Sequence, residues 1–140
     1  MALTGVLRPG YVQLRVLDLE ESILHYRDRI GLNLVSVEGG RAFFQAFDEF
    51  DRHSIILREA DSAGLDRMGF KVAKDSDLDH FAERLLDAGV HVDVIPAGEE
   101  PGVGRKIRFN TPTGHMFDLF AEMELSETGP AVRNPDVWIA

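Results

Sequence analysis

A strand, a helix and three further strands follow one another twice along this 140-residue chain, and that repetition limits the possible folds more than any other feature. Gly10 to Leu17 sets Val12, Leu14 and Val16 against Tyr11, Gln13 and Arg15, the period of two expected of a strand with one apolar face. Asp18 then stands at an N-cap, Glu21 completes a capping box, and Leu19, Ile23, Tyr26 and Ile30 recur at helical spacing until Gly31. Leu34 to Glu38, Arg41 to Phe47 and His53 to Glu59 read as three strands, the first two joined through Gly39-Gly40.

The second half repeats the order. Met68 to Val72 reads as a strand, and Ser76 or Asp75 as the cap of a helix with Leu78, Phe81 or Ala82, and Leu85 on its apolar stripe and Gly89 at its end. His91 to Ile95, Lys106 to Phe109 and Met116 to Ala121 supply the remaining strands, with a turn-rich loop from Pro96 to Gly104. Val12 and Met68 are 56 residues apart, Gly31 and Gly89 58, and His53 and His115 62, so the spacing grows only in the loops. The expected architecture is α+β: two tandem βαβββ modules, about 8–60 and 66–125, forming a cupped mixed sheet with both helices on its outer face. Residues 126–140 break the pattern and read as an extended linker or tail ending near an isolated Trp138.

Composition narrows the function. Fifteen basic residues against 24 acidic ones leave a net charge of −9, which repels polyphosphates, so nucleic acid is not an expected partner. With no cysteine, disulfides, thiolate nucleophiles and zinc ribbons are excluded. Apolar runs are too short for a membrane span, and Met1 to Pro9 lacks a signal-like apolar core, so a soluble cytoplasmic protein is expected. Gly102-Val103-Gly104 lacks the lysine and helix of a phosphate loop, and no Gly-x-Ser-x-Gly elbow occurs. The acidic stretches Asp48 to Asp51 and Glu99-Glu100 read as solvated turns.

Arg8-Pro9-Gly10-Tyr11-Val12-Gln13-Leu14-Arg15-Val16-Leu17-Asp18, Leu57 to Asp61, Gly69 to Val72, Pro96 to Glu99, Arg105 to Phe109, Pro112 to His115 and Asn134-Pro135 occur in an order similar to that of the vicinal-oxygen-chelate superfamily. Within it, the chain resembles the N-terminal domain of catechol 2,3-dioxygenases, the extradiol ring-cleaving enzymes. The resemblance implies a non-catalytic N-terminal domain, or fragment, of an enzyme that cleaves catechols with dioxygen to muconic semialdehydes. It also implies a missing C-terminal catalytic domain that holds Fe(II) through two histidines and a carboxylate. The contrasting reading is a stand-alone dimeric module of the same superfamily that binds a small molecule or confers resistance.

Carried onto this sequence, the ligand-equivalent positions are Tyr11, Arg67 and Asp118. A neutral phenol is a poor ligand and a guanidinium has no lone pair to give, so the triad is degenerate, with neither metal nor catalytic residues expected in this chain and Asp118 expected to pair with the arginine. His25 and His80 fall on helices, and His53, His91 and His115 beside turns where each suits a carbonyl hydrogen bond. Self-association into a homo-oligomer is expected through the apolar face of a missing partner, with Trp138 beside it.

Overall fold

The structure, a computed structural model, describes residues 5–127. Eight strands and two helices follow in the expected order: β1 (Val6–Val16), α1 (Leu19–Leu24) running into a π-helical turn (His25–Arg29), β2 (Asn33–Glu38), β3 (Arg41–Gln45), β4 (Ile55–Glu59), β5 (Gly64–Val72), α2 (Asp75–Asp87), β6 (Val92–Ile95), β7 (Lys106–Asn110) and β8 (Met116–Phe120). The hydrogen-bonded order is β2-β3-β4-β1-β5-β8-β7-β6 in a mixed sheet. β5 runs parallel to β8, while β2/β3, β3/β4, β6/β7 and β7/β8 are antiparallel. Each half thus places its first strand beside its last. Trp138 and the tail after Glu127 lie outside the described residues. Among the described residues no helix is long and apolar enough to cross a membrane.

The compact units do not coincide with the sequence halves. One comprises residues 5–13 with 65–124, the other 14–64 with 125–127, so the boundary passes through β1 between Gln13 and Leu14. The cause is chemical. Leu14 and Val16 pack with Leu19, Ile23, Tyr26 and Phe44 around Ala42 and Leu57. Tyr11 and Gln13, one pleat earlier, hydrogen-bond to residues of β5, β7 and β8. The alternation in β1 therefore separates an apolar face from a polar face that is also buried, with Tyr11 3% and Gln13 1% exposed.

Both helices take their stops from glycine, at Gly31 (φ +90°) and Gly89 (φ +82°), where a Cβ would be strained. Asp18 caps α1 by accepting from the Glu21 N–H at 3.0 Å. After Leu24 the ladder widens, Ile30 N–H reaching His25 O, and this extra residue rotates Ile30 out to solvent although it fits the helical stripe in sequence. At α2 the cap is neither Ser76 nor Asp75. The N-cap residue is Lys74, whose side chain has no acceptor, and the job falls to Asp77, which accepts from the Lys74 N–H at 3.2 Å. Arg105 holds the same helix start, donating to Asp75 and Asp79 at 2.9–3.1 Å. Leu78 is fully buried with Val72, Ile107, Leu119 and Ala121, and Phe81, Ala82 and Leu85 pack against them as the stripe requires.

Candidate functional site

The three ligand-equivalent positions meet in the unit containing β5, α2, β6, β7 and β8. Tyr11 Oη donates to Asp118 Oδ2. Arg67 Nε donates to the same oxygen at 3.1 Å, and Arg108 clamps the carboxylate from its cross-strand position, Nε to Oδ1 at 2.7 Å and Nη2 to Oδ2 at 3.2 Å. The expected arginine pair of Asp118 is present and is one of two. Arg67 Nη2 also donates to Gln13 Oε1 at 3.0 Å, and Gln13 Nε2 donates to Asp66 at 2.8 Å.

Besides Arg108, Gln13 and Asp66, the cluster holds two residues that the sequence did not place in it, Lys106 and Glu100. Lys106 Nζ donates to Tyr11 Oη at 2.7 Å and to Glu100 Oε1 at 2.6 Å, and lies 3.3 Å from Asp118 Oδ2. Glu100 is 1% exposed and Lys106 fully buried, so half of the Glu99-Glu100 pair is no solvated turn. The polypeptide around it is tied down by Gly98 N–H to Val103 O, Gly104 N–H to Glu122 O and Glu124 N–H to Gly102 O. For Arg108, though not for Lys106 or Glu100, the repeat itself carried a signal. Arg108 and Asp118 are partners across β7/β8, and the corresponding partners across β3/β4 are Phe43 and Ile56. Charge at positions that are apolar in the sister half marks a buried polar cluster.

Packing fixes the tyrosine. Its ring lies against Gly69, where a Cβ would collide with it, and 5.3 Å from the Phe120 ring. Lys106 Nζ sits 4.7 Å from its centroid. Burial, reinforced by the Glu100 and Asp118 carboxylates, holds the phenol well above its ordinary value near 10. Burial alone would raise the Asp118 carboxyl, but the Arg108 hydrogen bonds, the Lys106 charge and the Tyr11 hydroxyl outweigh it and keep Asp118 below the usual carboxylate range. Lys106, Arg67 and Arg108 therefore face ionised Asp118 together with Glu100 and Asp66.

This donor set does not fit a divalent metal. Tyr11 keeps its proton, Arg67 offers no lone pair, and both Asp118 oxygens already accept from charged or hydroxyl donors. Among the described residues no three His, Asp or Glu side chains gather in a metal-binding cluster. The histidines are scattered. His53 is fully buried, 4.8 Å from the Phe43 ring, with Arg52 Nη1 at its Nδ1 (2.8 Å). His115 is exposed and pairs with Thr113, His91 pairs with Asp93, and His25 and His80 are on the surface as expected. Asp51 is buried against expectation, its backbone carbonyl accepting from Gln45 at 2.9 Å.

Comparison with known proteins identifies the fold's relatives. Residues 65–124 match the family model described as the catechol 2,3-dioxygenase-like N-terminal domain. The chain is 47% identical over 136 residues to a metapyrocatechase of Pseudomonas sp. (strain CF600), covering 96% of this chain and 44% of that protein. It is 32% identical over 115 residues to a manganese-dependent 2,3-dihydroxybiphenyl 1,2-dioxygenase of Geobacillus genomosp. 3, covering 82% of this chain and 36% of that one. Among solved structures, the 2,3-dioxygenase LapB of Pseudomonas sp. KL28 superposes with a TM-score of 0.87 at 41% identity, over 96% of this chain and 46% of its own. The chain spans less than half the length of these relatives. In sequence and in its α+β, vicinal-oxygen-chelate-like fold, it matches the catechol 2,3-dioxygenase-like N-terminal domain of the extradiol dioxygenases.

Proposed function

We propose that this chain is the non-catalytic N-terminal domain of a catechol 2,3-dioxygenase-type enzyme. Residues 1–125 form the folded domain and 126–140 lead toward a second, catalytic domain. The whole protein cleaves a catechol beside its diol with dioxygen, both oxygen atoms entering the ring-opened muconic semialdehyde. That chemistry is supplied by residues and a metal, Fe(II) in this reading, outside this chain. The N-terminal domain contributes packing against its partner domain and against other copies in a cytoplasmic homo-oligomer.

One observation carries this reading. At the ligand-equivalent positions of a dioxygenase-like fold stands an ion-paired cluster, Tyr11, Arg67 and Asp118, whose polar atoms are already engaged with one another. Such a cluster holds strands together and offers catechol no open coordination position. The test joins residues 1–140 to the remaining C-terminal portion of the Pseudomonas metapyrocatechase. The expected result is oxygen-dependent catechol cleavage by the chimera and none by the chain alone after anaerobic loading with Fe(II). Turnover by the chain alone, abolished by Asp118→Asn, would refute the assignment.

A further inference from the structure

Lysine is rarely buried outright, because an ammonium out of water needs every donor satisfied. Lys106 is fully enclosed: its ammonium donates to Glu100 Oε1 at 2.6 Å and to Tyr11 Oη at 2.7 Å, and it faces the Asp118 Oδ2 charge at 3.3 Å. Glu100 lies in the loop leading into β7 and Asp118 on the adjacent strand β8, while Tyr11 comes from β1, 95 residues before Lys106. The Tyr11 hydroxyl that accepts from Nζ also donates to Asp118, which ties two of the three oxygens to each other.

The geometry points to Lys106 as the fold's own cation: its ammonium gathers Tyr11, Glu100 and Asp118 as a bound ion would, and the cage is matched to a compact, singly charged ammonium rather than to a free metal. Charge decides between the two. Lys106 neutralises Glu100 and shares Asp118 with Arg67 and Arg108. With Lys106 removed, Arg67 and Arg108 still sit on Asp118 and repel a dication, whereas a compact monocation replaces the one charge that was lost. A guanidinium would not replace the ammonium, because its planar fork does not suit three oxygens arranged around a point. The inference rests on this unit's own contacts and holds whether or not the chain joins a catalytic domain.

Truncation supplies the test. Lys106→Ala removes three methylenes and the ammonium, and n-propylammonium is that missing fragment. Thermal unfolding of the full chain is followed for wild type and variant at matched ionic strength, with n-propylammonium chloride, 1-propanol or manganese(II) chloride added. The expected result is a Tm lower by about 10 °C or more in the variant. Propylammonium recovers most of that loss saturably and leaves wild type unchanged, whereas propanol and manganese(II) do neither. An unchanged Tm, equal recovery by propanol, or recovery by manganese(II) would each overturn the inference. If Lys106→Ala does not fold, Lys106→Met with and without Glu100→Gln replaces it. Removing both charges then gives a higher Tm than removing the lysine alone, and the opposite order overturns the inference.

Discussion

Asp118→Asn removes one charge from the centre of the cluster with almost no change of shape. Asp118 is fully buried and accepts from Tyr11, Arg67 and Arg108, with Lys106 at 3.3 Å. Asparagine keeps one oxygen, but its NH2 group must then face either Arg108 Nε or the Tyr11 and Arg67 donors, leaving buried N–H groups opposed. Breaking a buried pair on one side costs about 3–5 kcal/mol. A domain of this size holds roughly 5–15 kcal/mol in all, so the variant keeps a small margin. The corresponding fall in Tm is about 10–20 °C. Urea denaturation followed by circular dichroism at neutral pH gives the difference, and the deficit persists in concentrated salt because buried pairs are little screened. The control is Asp28→Asn in the Arg27–Asp28 pair, whose side chains are 44% and 56% exposed, and which changes stability little. A loss below about 1 kcal/mol at Asp118, or one that salt abolishes, would refute the account of the cluster.

Gly69→Ala drives a Cβ into the Tyr11 ring, which cannot retreat without breaking its bond to Asp118, so the urea midpoint falls by the equivalent of about 1–3 kcal/mol; an unchanged midpoint would mean that the ring moves freely. The folded Asp118 carboxyl titrates below its unfolded value near 3.9, so its stabilisation is present above that value and is lost as pH falls through the folded one. The stability difference between wild type and Asp118→Asn is therefore constant from neutrality to about pH 4 and shrinks below it; a difference that fades already between pH 7 and 5 would contradict the assigned ionisation. Tyr11 has the opposite sign: its folded value lies above 10, so its stabilisation is present below pH 10 and is lost as pH rises through the folded value. Tyrosinate absorbance at alkaline pH shows Tyr11 ionising only together with unfolding, and ionisation near pH 10 in the folded chain would place the phenol in water.

The repeat, the order of elements within each half and the glycine stops of both helices could be read from the sequence because they rest on local signals: alternation in β1, Asp18 at a cap, glycines at positive φ, and Leu78, Phe81 and Leu85 at helical spacing. The convergence of Tyr11, Arg67 and Asp118 came from resemblance, and the structure places Tyr11 and Arg67 on the Asp118 carboxylate. Lys106 and Glu100 were invisible for a physical reason. A buried ion pair has the same composition as a solvated one, and only the long-range approach of β1, β7 and β8 distinguishes them. The same blindness made Tyr11 and Gln13 look like the wet side of a strand. At Ile30 the misreading was local, since a single wide turn at His25–Arg29 shifts the helical phase and no residue type announces it.

The central claim is that the Tyr11, Arg67 and Asp118 positions hold an internal ion-pair cluster in place of a metal. Elemental analysis of the purified chain, after anaerobic equilibration with Fe(II) or Mn(II) and removal of free ion, tests it most directly. The account predicts substoichiometric metal, the same for wild type and Asp118→Asn. One tightly held ion per chain, lost on Asp118→Asn, would contradict it.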